Sequence, residues 1–139
     1  PPWEIVYTRS TATDVGDCQL EYMDREVHVA PQGVNVYVAH YTDPDDHSTD
    51  KKLITTIAAD QEPARSVIDT VVAKGYWQLD DHATYQLSAE APGGCSRESA
   101  TIVITTPSKT GILKFEMGPD HPPATGAALE LHTLLEQKL

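Results

Sequence analysis

Asp60-Gln61-Glu62-Pro63-Ala64-Arg65-Ser66-Val67-Ile68-Asp69-Thr70-Val71-Val72-Ala73-Lys74-Gly75-Tyr76-Trp77-Gln78-Leu79 decides how the rest of the chain is read. Ala64, Val67, Ile68, Val71 and Val72 fall at i, i+3, i+4, i+7 and i+8, lining one face of a 3.6-period helix. Asp60 reads as the N-cap, since its carboxylate can accept from free first-turn amides. Pro63 is tolerated in that turn, where amides have no intrahelical partner. Gly75 suits a left-handed C-terminal position, and Lys74 sits at the negative end of the helix dipole. Tyr76, Trp77 and Leu79 then fold back over the same core.

Before this helix the period is two. Glu4 to Thr8 reads as a strand and Ser10 to Asp17 as a polar loop. Leu20 and Tyr22, then Val27 and Val29, alternate with polar neighbours. Pro31-Gln32-Gly33 marks a turn. Val34, Val36, Val38 and His40 share one strand face, and Asn35, Tyr37, Ala39 and Tyr41 the other. Thr42 to Lys52 is an acidic loop, and Leu53 to Ala59 a further strand. After the helix, 80–97 is a long polar connection. Ala100 to Thr106 and Ile112 to Met117 form a hairpin. A second helix runs from about Pro123 to the C-terminus, with Ala124, Ala127, Ala128, Leu131, Leu134 and Leu135 on one apolar stripe. The implied fold is a single α+β domain, 1–139: a mainly antiparallel sheet with two helices packed on one face.

Composition narrows the function classes. A chain of 139 residues with 40% hydrophobic content can build a core without a cofactor, and none is expected. The formal net charge of -11, with only 10 basic residues, disfavours nucleic acid and anionic membranes alike. No apolar run approaches the ~20 residues of a membrane-spanning helix. The chain opens at Pro1-Pro2-Trp3, which reads as a processed or trimmed N-terminus, with a removed leader and a cut boundary as the competing explanations. Cys18 and Cys95 each lie in a polar, glycine-containing loop just before a strand. They read as a disulfide, and so as a sign of an oxidising compartment and an exported protein.

No Gly-x-Ser-x-Gly elbow, His-Glu-x-x-His, phosphate loop or Cys-x-x-Cys is present. Asp43, Asp45, Asp46, His47 and Asp50 offer oxygen ligands, but the loop lacks the glycine and twelfth-position Glu of a calcium-binding hand, and no metal is assigned. Asp80, Asp81 and His82 contain a carboxylate–imidazole pair, yet neighbouring residues rarely face one another, so the stretch reads as a polar loop. The expected role is therefore non-enzymatic. Six tyrosines and two tryptophans stand against one Phe, a balance that suits wet surfaces and interfaces. Tyr37 and Tyr41, with Asp43, Asp45, Asp46 and Asp50, are the candidate partner-binding residues.

The layout also resembles small exported bacterial proteins of the emfourin-like kind. The residues that carry this are Ile5-Val6-Tyr7-Thr8-Arg9-Ser10 leading into a Gly16-containing loop, and the Pro31-Gln32-Gly33 turn. The Ser66 to Leu79 helix ending in Gly75-Tyr76-Trp77 and the Pro122-Pro123 to Leu139 segment complete it. The resemblance implies an inhibitor of a secreted metalloprotease. It carries no individual binding residue over, since Thr11-Ala12 stands where a double glycine is expected. Beside the resemblance, the chain as a whole leaves three roles open: an exported protein-binding module that inhibits a protease, an acidic immunity or periplasmic binding protein neutralising a basic partner, and a small hydrolase or metal-dependent enzyme with an unrecognised site.

Overall fold

In the computed structural model, which describes residues 2–43, 45, 51–87, 95–118 and 120–139, strands and helices follow the α+β pattern. The strands are β1 (Glu4–Asp14), β2 (Leu20–Ala30), β3 (Gly33–Tyr41), β4 (Lys52–Ala58), β5 (His82–Gln86), β6 (Arg97–Thr105) and β7 (Thr110–Glu116). Helix α1 (Ala64–Lys74) separates β4 from β5, and α2 (Gly126–Lys138) closes the chain. One seven-stranded sheet has the order β4-β3-β2-β1-β6-β7-β5. Every pairing is antiparallel except β5 with β7.

Register explains the core. Val36, Val27, Tyr7, Ile102 and Leu113 lie directly opposite one another across five strands. Val34, Val29, Ile5 and Ile104 form the next row. All nine are buried, because residues opposite each other point to the same side of the pleat. Both helices cover that side, α1 through Val67, Ile68 and Val71 and α2 through Ala128, Leu131 and Leu135. The row at Gly111 shows how closely the chain approaches: a Cβ there would lie 2.4 Å from the Leu79 carbonyl oxygen.

The structure corrects four details. Helix α1 starts at Ala64, and Pro63, without a side-chain cap, holds the capping position expected of Asp60. Glu62 serves the first turn instead, accepting from Ser66 Oγ at 2.5 Å and Arg65 Nε at 2.9 Å. Val72, placed on the apolar stripe by periodicity, is 53% exposed. The 10–17 segment is not all loop, for β1 continues to Asp14. The 80–97 connection contains β5. At the other end of α1 the expectation holds: Gly75 has φ 71° and its amide reaches the carbonyls of Val71 and Val72.

Cys18 and Cys95 form a disulfide with a Cα–Cα distance of 5.4 Å. It fastens the β1–β2 turn to the start of β6, the strand beside β1. No helix among the described residues is long and apolar enough to cross a membrane.

Candidate functional site

The sheet face away from the helices gathers the chemistry of β2 and β3. Tyr22, Asp24, Glu26 and His28 alternate along β2 on that side, and Asn35, Tyr37, Ala39 and Tyr41 along β3. Register places Tyr22 opposite Tyr41 and Glu26 opposite Tyr37. The Tyr22 and Tyr41 rings stack with centroids 5.1 Å apart and planes 2° from parallel. Tyr41 donates its hydroxyl proton to Asp24 Oδ1 at 3.0 Å. Burial, and then that carboxylate, push the Tyr41 phenol up to about 12.

One strand step further on, a cation is already held. Lys51 Nζ lies 2.7 Å from Glu26 Oε2 and 5.1 Å from the centre of the Tyr37 ring. His28 Nε2 is 2.8 Å from Glu26 Oε1, and its ring meets Tyr37 edge-on at 5.0 Å. Burial opposes ionisation of Glu26, but hydrogen bonds from Lys51 and His28 outweigh it and hold the carboxyl below its usual range. A tyrosine face with a carboxylate at its rim accepts an ammonium group by cation–π and ionic attraction together.

Of the sequence-assigned partner residues, Tyr37 and Tyr41 share this open face at the end of β3. Asp43 and Asp45 follow it, both exposed, with the Asp45 amide donating to Asp43 Oδ1 at 2.9 Å. Asp46 and Asp50 lie outside the described residues. Tyr22, Asp24 and Glu26 are not among the sequence-assigned residues; their alternation is local to β2, but their place opposite β3 depends on register.

A second polar group lies where the C-terminal end of α2 meets the sheet. Arg9 pairs with Glu98 at 2.9 Å and with Glu136, and Glu136 also accepts from the Tyr7 hydroxyl at 2.5 Å. Arg25 donates to the Leu139 carbonyl. These arginines meet the negative end of the α2 dipole, which accounts for charge on the covered side of the sheet. Burial raises the Tyr7 phenol to about 12. His132 stands between the Phe115 and Tyr7 rings, at 4.4 and 5.8 Å. Its buried Nε2 has no hydrogen-bond partner among the described residues, and burial followed by the nearby Arg9 charge lowers its pKa. The ring also lines a cavity of about 270 Å³ with Leu87, Phe115, Pro123 and Leu129. This group is a clamp on α2, since each carboxylate in it already carries a cation or hydroxyl.

The acid–base candidates do not converge. His82 is exposed and its Nε2 contacts the Thr110 carbonyl at 2.8 Å, while Asp80 faces Lys109 at 4.0 Å. Asp14, Cys18 and Cys95 cluster closely enough to suggest a metal, but the disulfide removes both thiolates from ligation.

Fold and site together define a two-layer α+β protein with one helix-covered and one open, tyrosine-bearing sheet face. Compared with known proteins, the chain matches no family model, no curated protein and no solved structure.

Proposed function

We propose that this is an exported, non-enzymatic module that binds a protein partner with a basic surface. The observation that carries the reading is the open face of β2 and β3, where stacked Tyr22 and Tyr41 and neighbouring Tyr37 are rimmed by Asp24 and Glu26. Amphipathic rings supply apolar anchors at low entropic cost, while Asp24 and Glu26, engaged by Tyr41 and Lys51, hold those rings in place. Asp43 and Asp45 extend the negative field beyond the end of β3, and the net charge of -11 steers a basic partner toward it. The intramolecular disulfide fits an oxidising compartment, which is where export would place the chain.

A secreted metalloprotease is the partner class favoured by the emfourin-like layout. An acidic immunity protein facing a basic toxin uses the same surface, and a gene neighbour of either kind separates the two.

The test is capture of a partner from an envelope or culture-medium fraction, followed by association kinetics. Replacing Asp43, Asp45, Asp46 and Asp50 with Asn should slow association, mainly at low salt. Tyr41→Ala should instead speed dissociation. An association rate indifferent to salt and to all these replacements refutes the proposal. Inhibition of a thermolysin-like protease by the purified chain would select the protease reading.

A further inference from the structure

The two edges of the sheet are finished differently. At β5 the chain caps the last residue of its own edge, with the Gln86 amide donating to the Pro122 carbonyl at 2.8 Å and Gln86 bridging Pro123. At β4 no described segment pairs outward. Ile54 and Leu53, side by side on this strand, are 62% and 55% exposed. An apolar edge with unpaired amides and carbonyls is a template for another strand. From Leu53 to Ala59 there is neither charge nor proline. Charges bracket the segment with opposite signs: Lys51 and Lys52 before it, Asp60 and Glu62 after it.

We propose that β4 pairs antiparallel with β4 of a second copy, forming a two-fold dimer with one continuous sheet. The charge order selects this occupant. Antiparallel pairing brings the Lys52 end of each strand to the Asp60 end of the other, whereas parallel pairing sets like charge against like. A uniformly basic strand would meet Lys52 unfavourably, and an acidic one Asp60. A copy of β4, reversed, satisfies both ends at once. Lys52 and Asp60 are exposed and have no ion-pair partner among the described residues. Their neighbours are engaged elsewhere, Lys51 with Glu26 at 2.7 Å and Glu62 with Arg65 at 2.9 Å. The irregularity opposite Val36 and Tyr37 disturbs the first half of β4 and leaves Thr55 to Ala58 in regular pairing with β3. The contact is therefore short, and the dimer is a concentration-dependent one.

Sedimentation velocity of the full disulfide-bonded chain over a concentration series tests this, with thermal melts to verify that each variant is folded. The wild type should show a monomer–dimer equilibrium. Ile54→Lys should shift it to monomer by placing a charge opposite Ala58 of the other copy, next to the paired centre at Thr56. Lys52→Glu and Asp60→Lys should each weaken dimerisation about tenfold, because two symmetric contacts turn repulsive, and the double reversal should restore it. A wild type that stays monomeric at every concentration overturns the proposal. So does a dimer indifferent to Ile54→Lys, or a double reversal that weakens association further instead of rescuing it.

Discussion

Breaking the Cys18–Cys95 bridge should destabilise the domain by about 4.5 kcal/mol, a figure that follows from the chain it encloses. The two residues are 77 positions apart, and β2, β3, β4, α1 and β5 lie between them. Without the cross-link the unfolded chain regains about 15 cal/mol/K of entropy for a loop of that size. The native turn modifies the result in a way that can be measured. Gln19 donates its amide to the Gly16 carbonyl at 2.9 Å, so Asp17 and Cys18 are the central residues of a tight hairpin turn. Their φ angles are 50° and 59°, the left-handed values that suit glycine at the second position. A side chain at Cys18 thus costs roughly 1 kcal/mol. Cys18→Gly/Cys95→Ser should recover about that much relative to Cys18→Ser/Cys95→Ser. The assay is chemical and thermal unfolding of the oxidised wild type and both variants. The serine pair should melt about 10–20 °C lower. Variants that unfold within about 0.5 kcal/mol of the wild type would refute the entropy argument. Two alkylated thiols in the unreduced protein would refute the bond itself.

Val71→Asp should unfold the domain, because Val71 is fully buried and a carboxylate there finds no partner. Asp69→Ala should change stability by less than about 0.5 kcal/mol, since Asp69 is exposed and Arg65 is engaged by Glu62 instead; paired thermal melts decide. His132, lowered from 6.5 by burial and by Arg9, binds fewer protons folded than unfolded. Stability should therefore be full above pH 6.5 and decline as pH falls below it, toward the lower folded pKa. Urea titrations should show this fall in the wild type and its reduction in His132→Leu, which retains packing against Phe115 without the orphaned nitrogen. Gly111→Ala should cost about 1–3 kcal/mol in the same titrations, because its Cβ meets Leu79 backbone and not a movable side chain.

How much of this architecture is readable in the chain depends on whether a segment's pattern is set locally. The stripe of α1, Val72 apart, and the alternation of β2 and β3 are local, and both appear where periodicity places them. Strand β5 is not: five residues with only Ala83 and Tyr85 facing the core are too short to show a period. It is a strand because β7 is available alongside it, in parallel. The polar end of β1 misleads for a related reason. Arg9 points toward the helices, where an apolar residue is expected, because Glu136 of α2 arrives above it. Val72 errs the other way, since α1 buries a stripe narrower than its apolar residues span.

The candidate binding face divides along the same line. Alternation shows that Tyr37 and Tyr41 share one side of β3, and that Tyr22, Asp24, Glu26 and His28 share one side of β2. It does not show that these two sides are the same one. That follows from the pairing of Tyr22 with Tyr41 and Val27 with Val36, which the buried valines set: Val27, Val29, Val34 and Val36 must all face the helices. A one-residue slip would turn one of these sets toward the solvent. Thus the core residues of β2 and β3 determine the register, and the register assembles the tyrosine–carboxylate face from two strands, neither of which carries it alone.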